Sequence, residues 1–257
     1  MKHSIFSKYW TTGCCLTLYF SLLGIAAGGC KKQKEVYAEF AVLRLYGAFH
    51  AYSPVVVRLS DNEPFSYNWA VDINSQGEER RQSIHEDKLP FTLHAVPDTM
   101  PGHKPAFSMM LNLEKRSSYS FIAGGPVASM DTMFIKDDPL PYFEPKDSAY
   151  ALRFINFISG APVNIIQKTA TDKVVAANLP YKGVTKFITI PVTRSLDYMT
   201  FEMRDAATDE LLATYSKEVW PLVGNQQYLY RVYSVMLKGA RGTTGYSEPG
   251  FTFSKLY

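Results

Sequence analysis

Two short apolar segments recur in this chain at one spacing. Val42-Leu43-Arg44-Leu45-Tyr46, followed by Ser53-Pro54-Val55-Val56-Val57, resembles Ala151-Leu152-Arg153-Phe154-Ile155, followed by Ala161-Pro162-Val163-Asn164-Ile165. Leu43 and Leu152 lie 152 − 43 = 109 positions apart. Tyr119-Ser120-Phe121-Ile122 and Tyr228-Leu229-Tyr230-Arg231 repeat the offset, at 228 − 119 = 109. A fixed offset of this size restricts the 257 residues to two related domains, each within the usual domain range. The middles of the two copies do not align cleanly.

Both copies read as short strands. In the second, Ala151–Phe157, Pro162–Gln167, Lys186–Pro191, Met199–Arg204, Glu210–Tyr215 and Tyr228–Met236 carry strand residues separated by turn formers. Thr200-Phe201-Glu202-Met203-Arg204 alternates, which sends Phe201 and Met203 to one face. The first copy offers Ala41–Gly47, Val55–Leu59, Phe91–Val96, Phe107–Leu113 and Tyr119–Ala123. No segment holds a helical period over three turns. Regularly spaced short strands predict β-sandwiches, and 17 Tyr with 16 Phe suit half-buried pleated surfaces. The span Asn74 to Lys88 is too polar for core and reads as a long loop of the functional or disordered kind. Lys136 to Asp147 holds Pro139, Pro141 and Pro145 among charges and reads as a stiff, solvated connector.

The amino end constrains location. Lys2 and Lys8 precede an uncharged run from Tyr9 to Gly29, which closes on Ala26-Ala27-Gly28-Gly29-Cys30. A basic start, an apolar stretch, small residues and then cysteine form the pattern of a lipoprotein signal, cleaved before Cys30. The usual box carries Leu three places before the cysteine, whereas Ala27 stands there. Looser boxes occur among Bacteroidetes-type lipoproteins, which this chain resembles. The competing reading is an uncleaved anchor, for which the run is barely long enough; Thr11, Thr12, Ser21 and the Gly-rich end speak against it. Cys30 is thus the expected lipidation site, carrying palmitate-type acyl chains. Lys31, Lys32 and Lys34 belong to a tether and offer some attraction to anionic lipid. No cysteine follows Cys30, so the body holds no disulfide and no thiolate metal site. The resulting division is 1–29 signal peptide, 30–37 tether, 38–136 first sandwich, 137–147 linker and 148–257 second sandwich.

The second copy is similar to the domain of unknown function (DUF) 4397 family of exported bacterial proteins. Its residues Leu152-Arg153-Phe154-Ile155-Asn156 and Ala161-Pro162-Val163 match that family's opening strands. Leu179-Pro180-Tyr181-Lys182-Gly183, Phe187–Pro191, and Phe201-Glu202-Met203-Arg204-Asp205 before Leu211-Leu212 match its later blocks. The resemblance covers 149 to about 233, with Ile158-Ser159-Gly160 departing in a loop. The first copy is a looser relative, with Tyr46-Gly47 at the Asn position. The resemblance implies two tandem immunoglobulin-like β-sandwiches on the cell envelope and brings no activity with it.

Motifs for catalysis are few. His94 and His103 flank Asp98, a conceivable metal set, at a spacing that fits no standard ligand pattern. Asp137-Asp138 lacks the loop that calcium sites use. A net charge of +3 is too small to argue for nucleic acid, which needs a concentrated basic face, and none is expected as a partner. No cofactor is expected. The expected function is a non-catalytic, lipid-anchored module for binding or adhesion, most naturally at the outer membrane. A periplasm-facing accessory subunit of an envelope complex is the alternative. The partners are the membrane and a glycan or protein. Tyr67, Trp69, Arg241 and Tyr246 are the candidate ligand-loop residues, since rigid aromatic and basic side chains anchor interfaces. The Gly-rich run 239–245 reads equally as a mobile loop.

Overall fold

The computed structural model describes residues 39–50, 55–60, 71–73, 79–96, 103–144, 146–160, 162–192, 198–218 and 230–256. Phe40–Tyr257 form one compact unit. Within it lie two β-sandwiches with the same wiring.

The first comprises β1 (Ala41–Phe49), β2 (Val55–Arg58), β3 (Val71–Ile73), β4 (Arg80–Ile84), β5 (Lys88–Ala95), β6 (Phe107–Asn112), β7 (Ser118–Gly125) and β8 (Asp131–Lys136). One sheet runs β4-β1-β7-β8 and the other β3-β2-β5-β6. The second sandwich comprises β9 (Ala149–Asn156), β10 (Val163–Lys168), β11 (Lys173–Leu179), β12 (Ile188–Pro191), β13 (Tyr198–Asp205), β14 (Leu211–Glu218), β15 (Val232–Lys238) and β16 (Gly250–Lys255). Its sheets run β12-β9-β15-β16 and β11-β10-β13-β14, the same order displaced by eight strands. All pairings are antiparallel except β1 with β7 and β9 with β15, which are parallel.

Each sandwich closes over its own core. Leu43, Leu45, Phe49, Phe91, Leu93 and Phe121 fill the first, with the Phe91 and Phe121 rings 4.4 Å apart. Leu152, Phe154, Val163, Phe201, Met203 and Val235 fill the second. Phe201 and Met203 share the core face, as the alternation predicts. Each such side chain stabilises by about 1.5–3 kcal/mol through removal from water.

Strand register corrects the repeat. Leu43 pairs with Tyr119 and Leu152 with Tyr233, so the counterpart of Tyr119 is Tyr233, at 233 − 119 = 114. The match to Tyr228 is coincidental. The last described strand pair begins at Val232, and Tyr228 lies outside the described residues. Two further expectations change. The polar span 74–88 contains β4, an edge strand along β1, with Ala41 opposite Ile84 and Leu45 opposite Arg80. Its alternation is masked by charge, because an edge strand tolerates hydrophilic side chains and benefits from them. Lys173–Leu179, with no predicted strand, forms β11.

The connector also differs from a solvated spacer. Asp137 is buried, and Phe143 packs against Ala151, Val232 and Leu256. Tyr142 stands far out, at 85% exposure, and Lys146 and Glu144 are exposed beside it.

The sandwiches pack against each other through equivalent faces. Strand β1 sends Leu43 and Leu45 inward, so Arg44, Tyr46 and Ala48 point the other way. There Tyr46, Ala48 and Ile122 meet Ile155, Phe157 and Met236. This second contact explains why β1 and β9 are buried almost throughout, where a one-sided strand would alternate.

The register also gives each sandwich a root end and a loop end. The root end of the first holds Ala41, Ser118 and Asp137, where the Asp137 amide donates to Ser118 O. That of the second holds Ala149, Val232 and Leu256, where Leu256 N donates to Val232 O. Chain entrance at Phe40, the connector and Leu256 therefore all lie at root ends. The loop ends hold His50, 126–131, 157–160, 180–184, 205–210 and 239–249.

Candidate functional site

Among the described residues, one cluster of charged side chains lies toward the root end and another at the loop end. At the root, Arg44 and Arg153 occupy equivalent places, 153 − 44 = 109 apart, and converge on one carboxylate. Arg44 Nη1 donates to Asp137 Oδ2 at 3.0 Å, and Arg153 Nη1 lies 2.8 Å from Oδ1. Arg153 also donates from Nη2 to Ser120 Oγ (2.9 Å) and from Nε to Ser234 Oγ (3.1 Å), and the Ser120 hydroxyl donates to Asp137 Oδ1 (2.8 Å). Its guanidinium sits 5.4 Å from the centre of the Phe187 ring. Glu79 completes the group 3.2 Å from Arg44 Nε. Burial pushes the Glu79 carboxyl up, against the pull of Arg44. Burial likewise pushes the Tyr46 phenol far up, and Glu79 adds to it.

The centre of this group is closed to solvent, with the side chains of Arg44, Arg153 and Asp137 3%, 3% and 1% exposed, and Glu79 at its rim is 13% exposed. It is a structural junction with no access for substrate. Register explains its asymmetry. Lys136 faces Tyr119 and Lys255 faces Tyr233, so the residue equivalent to Asp137 is Leu256. One acid thus serves both arginines. Only Arg44 and Arg153, charged residues inside apolar strands at the repeat offset, advertised it in the sequence.

At the loop end, Arg241 spans two carboxylates: Nη1 donates to Asp205 Oδ2 at 2.8 Å and Nη2 to Glu210 Oε2 at 2.5 Å. Asp205 Oδ1 accepts from the amides of Ala207 (2.9 Å) and Thr208 (2.8 Å) and from the Thr208 hydroxyl (3.0 Å). The Thr208 amide does most to hold the Asp205 carboxyl below its usual range, with its hydroxyl, Ala207 and Arg241 adding to it. Arg241 is thereby braced across the 205–210 turn.

The 239–248 loop is hydrogen-bonded along its length. Ala240 N donates to Ser247 O (2.8 Å), Glu248 N to Gly245 O (3.1 Å), and the Thr243 hydroxyl lies 2.7 Å from Ala240 O. Gly239 has φ of 103°, and a Cβ there would come within 2.4 Å of Glu248 O, so glycine is required. The Ser247 hydroxyl donates to His50 O of the first sandwich. Tyr246 projects from this frame, 61% exposed.

A second bridge joins the sandwiches nearby. The Tyr181 hydroxyl donates to Asp131 Oδ2 at 2.8 Å, and Lys182 Nζ donates to Oδ1. Burial pushes the Asp131 carboxyl up, but the bonds from Lys182 and Tyr181 outweigh it and leave the carboxyl lowered. Burial and the same bond push the Tyr181 phenol up.

Of the candidate residues, the structure thus brings Arg241 and Tyr246 onto one braced loop. Tyr67, Trp69, Cys30 and Asp98 lie outside the described residues. His94 is buried on β5, 3.3 Å from Thr92 Oγ1, while His103 is exposed.

No family model matches the chain, and no curated protein matches it. Solved structures do. The Bacillus anthracis TIE protein is 7% identical, with a TM-score of 0.25, over 79% of this chain and 34% of its own. The chain thus spans about a third of that protein's length. An adhesin-described structure from Bacteroides ovatus is 12% identical, with a TM-score of 0.24, over 85% of this chain and 96% of its own. The fimbrial anchor protein Mfa2 from Porphyromonas gingivalis is 8% identical, with a TM-score of 0.28, over 84% of this chain and 96% of its own. Scores this low carry no argument about what the chain does.

Proposed function

We propose that this chain is a non-catalytic, lipid-anchored protein of the bacterial cell envelope, and that the loop end of its paired sandwiches is a surface for binding or adhesion. The observation that carries the reading is the composite loop face. Both sandwiches contribute to it, Asp131–Lys182 and His50–Ser247 join them there, and Tyr246 projects from the loop that carries the braced Arg241. A preformed aromatic on a hydrogen-bonded frame loses little entropy when a ligand stacks on it. The two charged clusters support a binding role over catalysis, since the buried one is closed and the exposed one has its carboxylates committed to Arg241.

Anchoring at Cys30 and kinship with the DUF4397 family belong to the same proposal. They rest on the leader pattern and on the quoted strand motifs. Acyl labelling of the intact chain tests the anchor: Cys30→Ala should abolish label, and a fully labelled variant would remove it. Protease digestion on intact and lysed cells tests the face. Digestion of the body before lysis supports surface binding, and a glycan or protein screen with Tyr246→Ala as control follows. Protection until lysis instead favours the periplasm-facing accessory role.

A further inference from the structure

The structure assigns an orientation to the body: its root end faces the bilayer and its loop end faces away. This rests on the anchoring reading above and goes beyond it, because a tethered globular body has no orientation unless its geometry imposes one.

The argument is one of lengths. Described structure begins at the root end of β1, where Phe40 O accepts from Arg116 N and Val42 N donates to Ser117 O. Between Cys30 and Phe40 stand nine residues, 31–39. Fully extended they reach about 30 Å. The nine residues of β1 rise about 30 Å. For the loop end to touch the membrane, the tether would have to run the whole length of the body taut. With its root end inward, the tether needs no extension.

Both sandwiches share this orientation. The Arg153 bonds to Ser120 and Asp137 join root to root, while Ser247 with His50 and Lys182 with Asp131 join loop end to loop end. The second sandwich therefore stands beside the first with its root turned the same way. The turns at 113–117 and 169–172, one from each sandwich, face the polar surface of the bilayer. The 3-10 turn Val127–Ser129 and the 239–248 loop face away from it.

The absence of any cysteine after Cys30 makes the test clean. Lys115→Cys and Thr171→Cys place a probe at the two roots; Ala128→Cys and Thr244→Cys place one at the two loop ends. All four positions are exposed. Each variant, purified with its native anchor, carries an environment-insensitive fluorophore and is reconstituted into vesicles whose lipid headgroups bear a quencher. Strong loss of emission at 115 and 171, with little at 128 and 244, is the expected result. Equal loss at all four sites, or greater loss at the loop ends, overturns the orientation while leaving the anchor intact. Failure of the protein to partition into vesicles overturns the anchor, and the orientation falls with it.

Discussion

Two arginine clusters in this molecule use similar chemistry to different ends. Around Asp137, two guanidinium groups share one buried carboxylate with the Ser120 hydroxyl, and Ser234 accepts from Arg153. Around Arg241, one guanidinium, its side chain 41% exposed, bridges the buried Asp205 and the exposed Glu210. Removing a partner from the first strands a charge where water cannot reach it. Removing Arg241 or Glu210 from the second lets solvent take its place. The contrast separates what holds the two sandwiches together from what shapes the outward loops.

The largest effect should come from Asp137→Ala. Loss of the shared carboxylate leaves Arg153 buried without a counterion and Arg44 with Glu79 alone, at a cost of about 3–5 kcal/mol. Urea unfolding of the body reads it. Replacing the charged group together, Asp137→Leu with Arg44→Met, Arg153→Met and Glu79→Leu, should recover most of the loss. An unchanged midpoint for Asp137→Ala would put the two clusters on the same footing and end the comparison.

Next is Gly124, which faces the second sandwich. A Cβ there would lie 2.6 Å from Ala48 O and 2.8 Å from both Ala48 Cβ and Phe157 Cε1. Gly124→Val should cost about 1–3 kcal/mol through overpacking. A double-mutant cycle with Phe157→Leu checks it; purely additive effects would show that the strain stays within the first sandwich.

Arg241→Ala should scarcely move the unfolding midpoint, because the pair with Glu210 is exposed and contributes little, and Asp205 keeps its bonds from Ala207 and Thr208. Its expected signature is local: faster amide exchange across 239–248. Unchanged exchange would mean that the loop's own hydrogen bonds suffice.

The smallest effect is acid sensitivity of the 205–210 turn. The folded Asp205 carboxyl titrates below its unfolded value, so its contribution is complete above the unfolded pKa and is lost as pH falls through the folded one. That window lies below about pH 4. The Thr208 amide resonance should shift there, and Asp205→Asn should remove the dependence. A shift centred near pH 6 would point to another group.

The sequence carried the architecture better than the connections. Alternation at Phe201 and Met203, and the recurrence of Leu-Arg in β1 and β9, led to two sandwiches. The repeat register failed at β15 because the shared Tyr-x-x-x pattern of 119 and 228 is short, and the strand equivalent begins several residues later. The edge strand β4 was hidden since its solvent-facing positions are charged by necessity. Asp137 looked solvated because it sits among prolines and charges; its burial depends on Arg153, which comes from the other sandwich. At the loop end, Tyr246 was legible as an exposed aromatic on a Gly-rich run. The commitment of Arg241 was not, since Asp205 and Glu210 lie more than thirty positions away.

The parallel pairing of β1 with β7 has a mechanical meaning. If a bound partner pulls on the loop end while the anchor holds Phe40, the load enters β1 along its own axis. Val42 to Phe49 are registered against Ser118 to Gly125, and all those pairs lie in shear. They must slide together, whereas strands pulled apart sideways open one pair at a time. Single-molecule stretching between residue 40 and Thr244 should therefore show one high rupture force. A sawtooth of low, successive steps would show that the load takes another path.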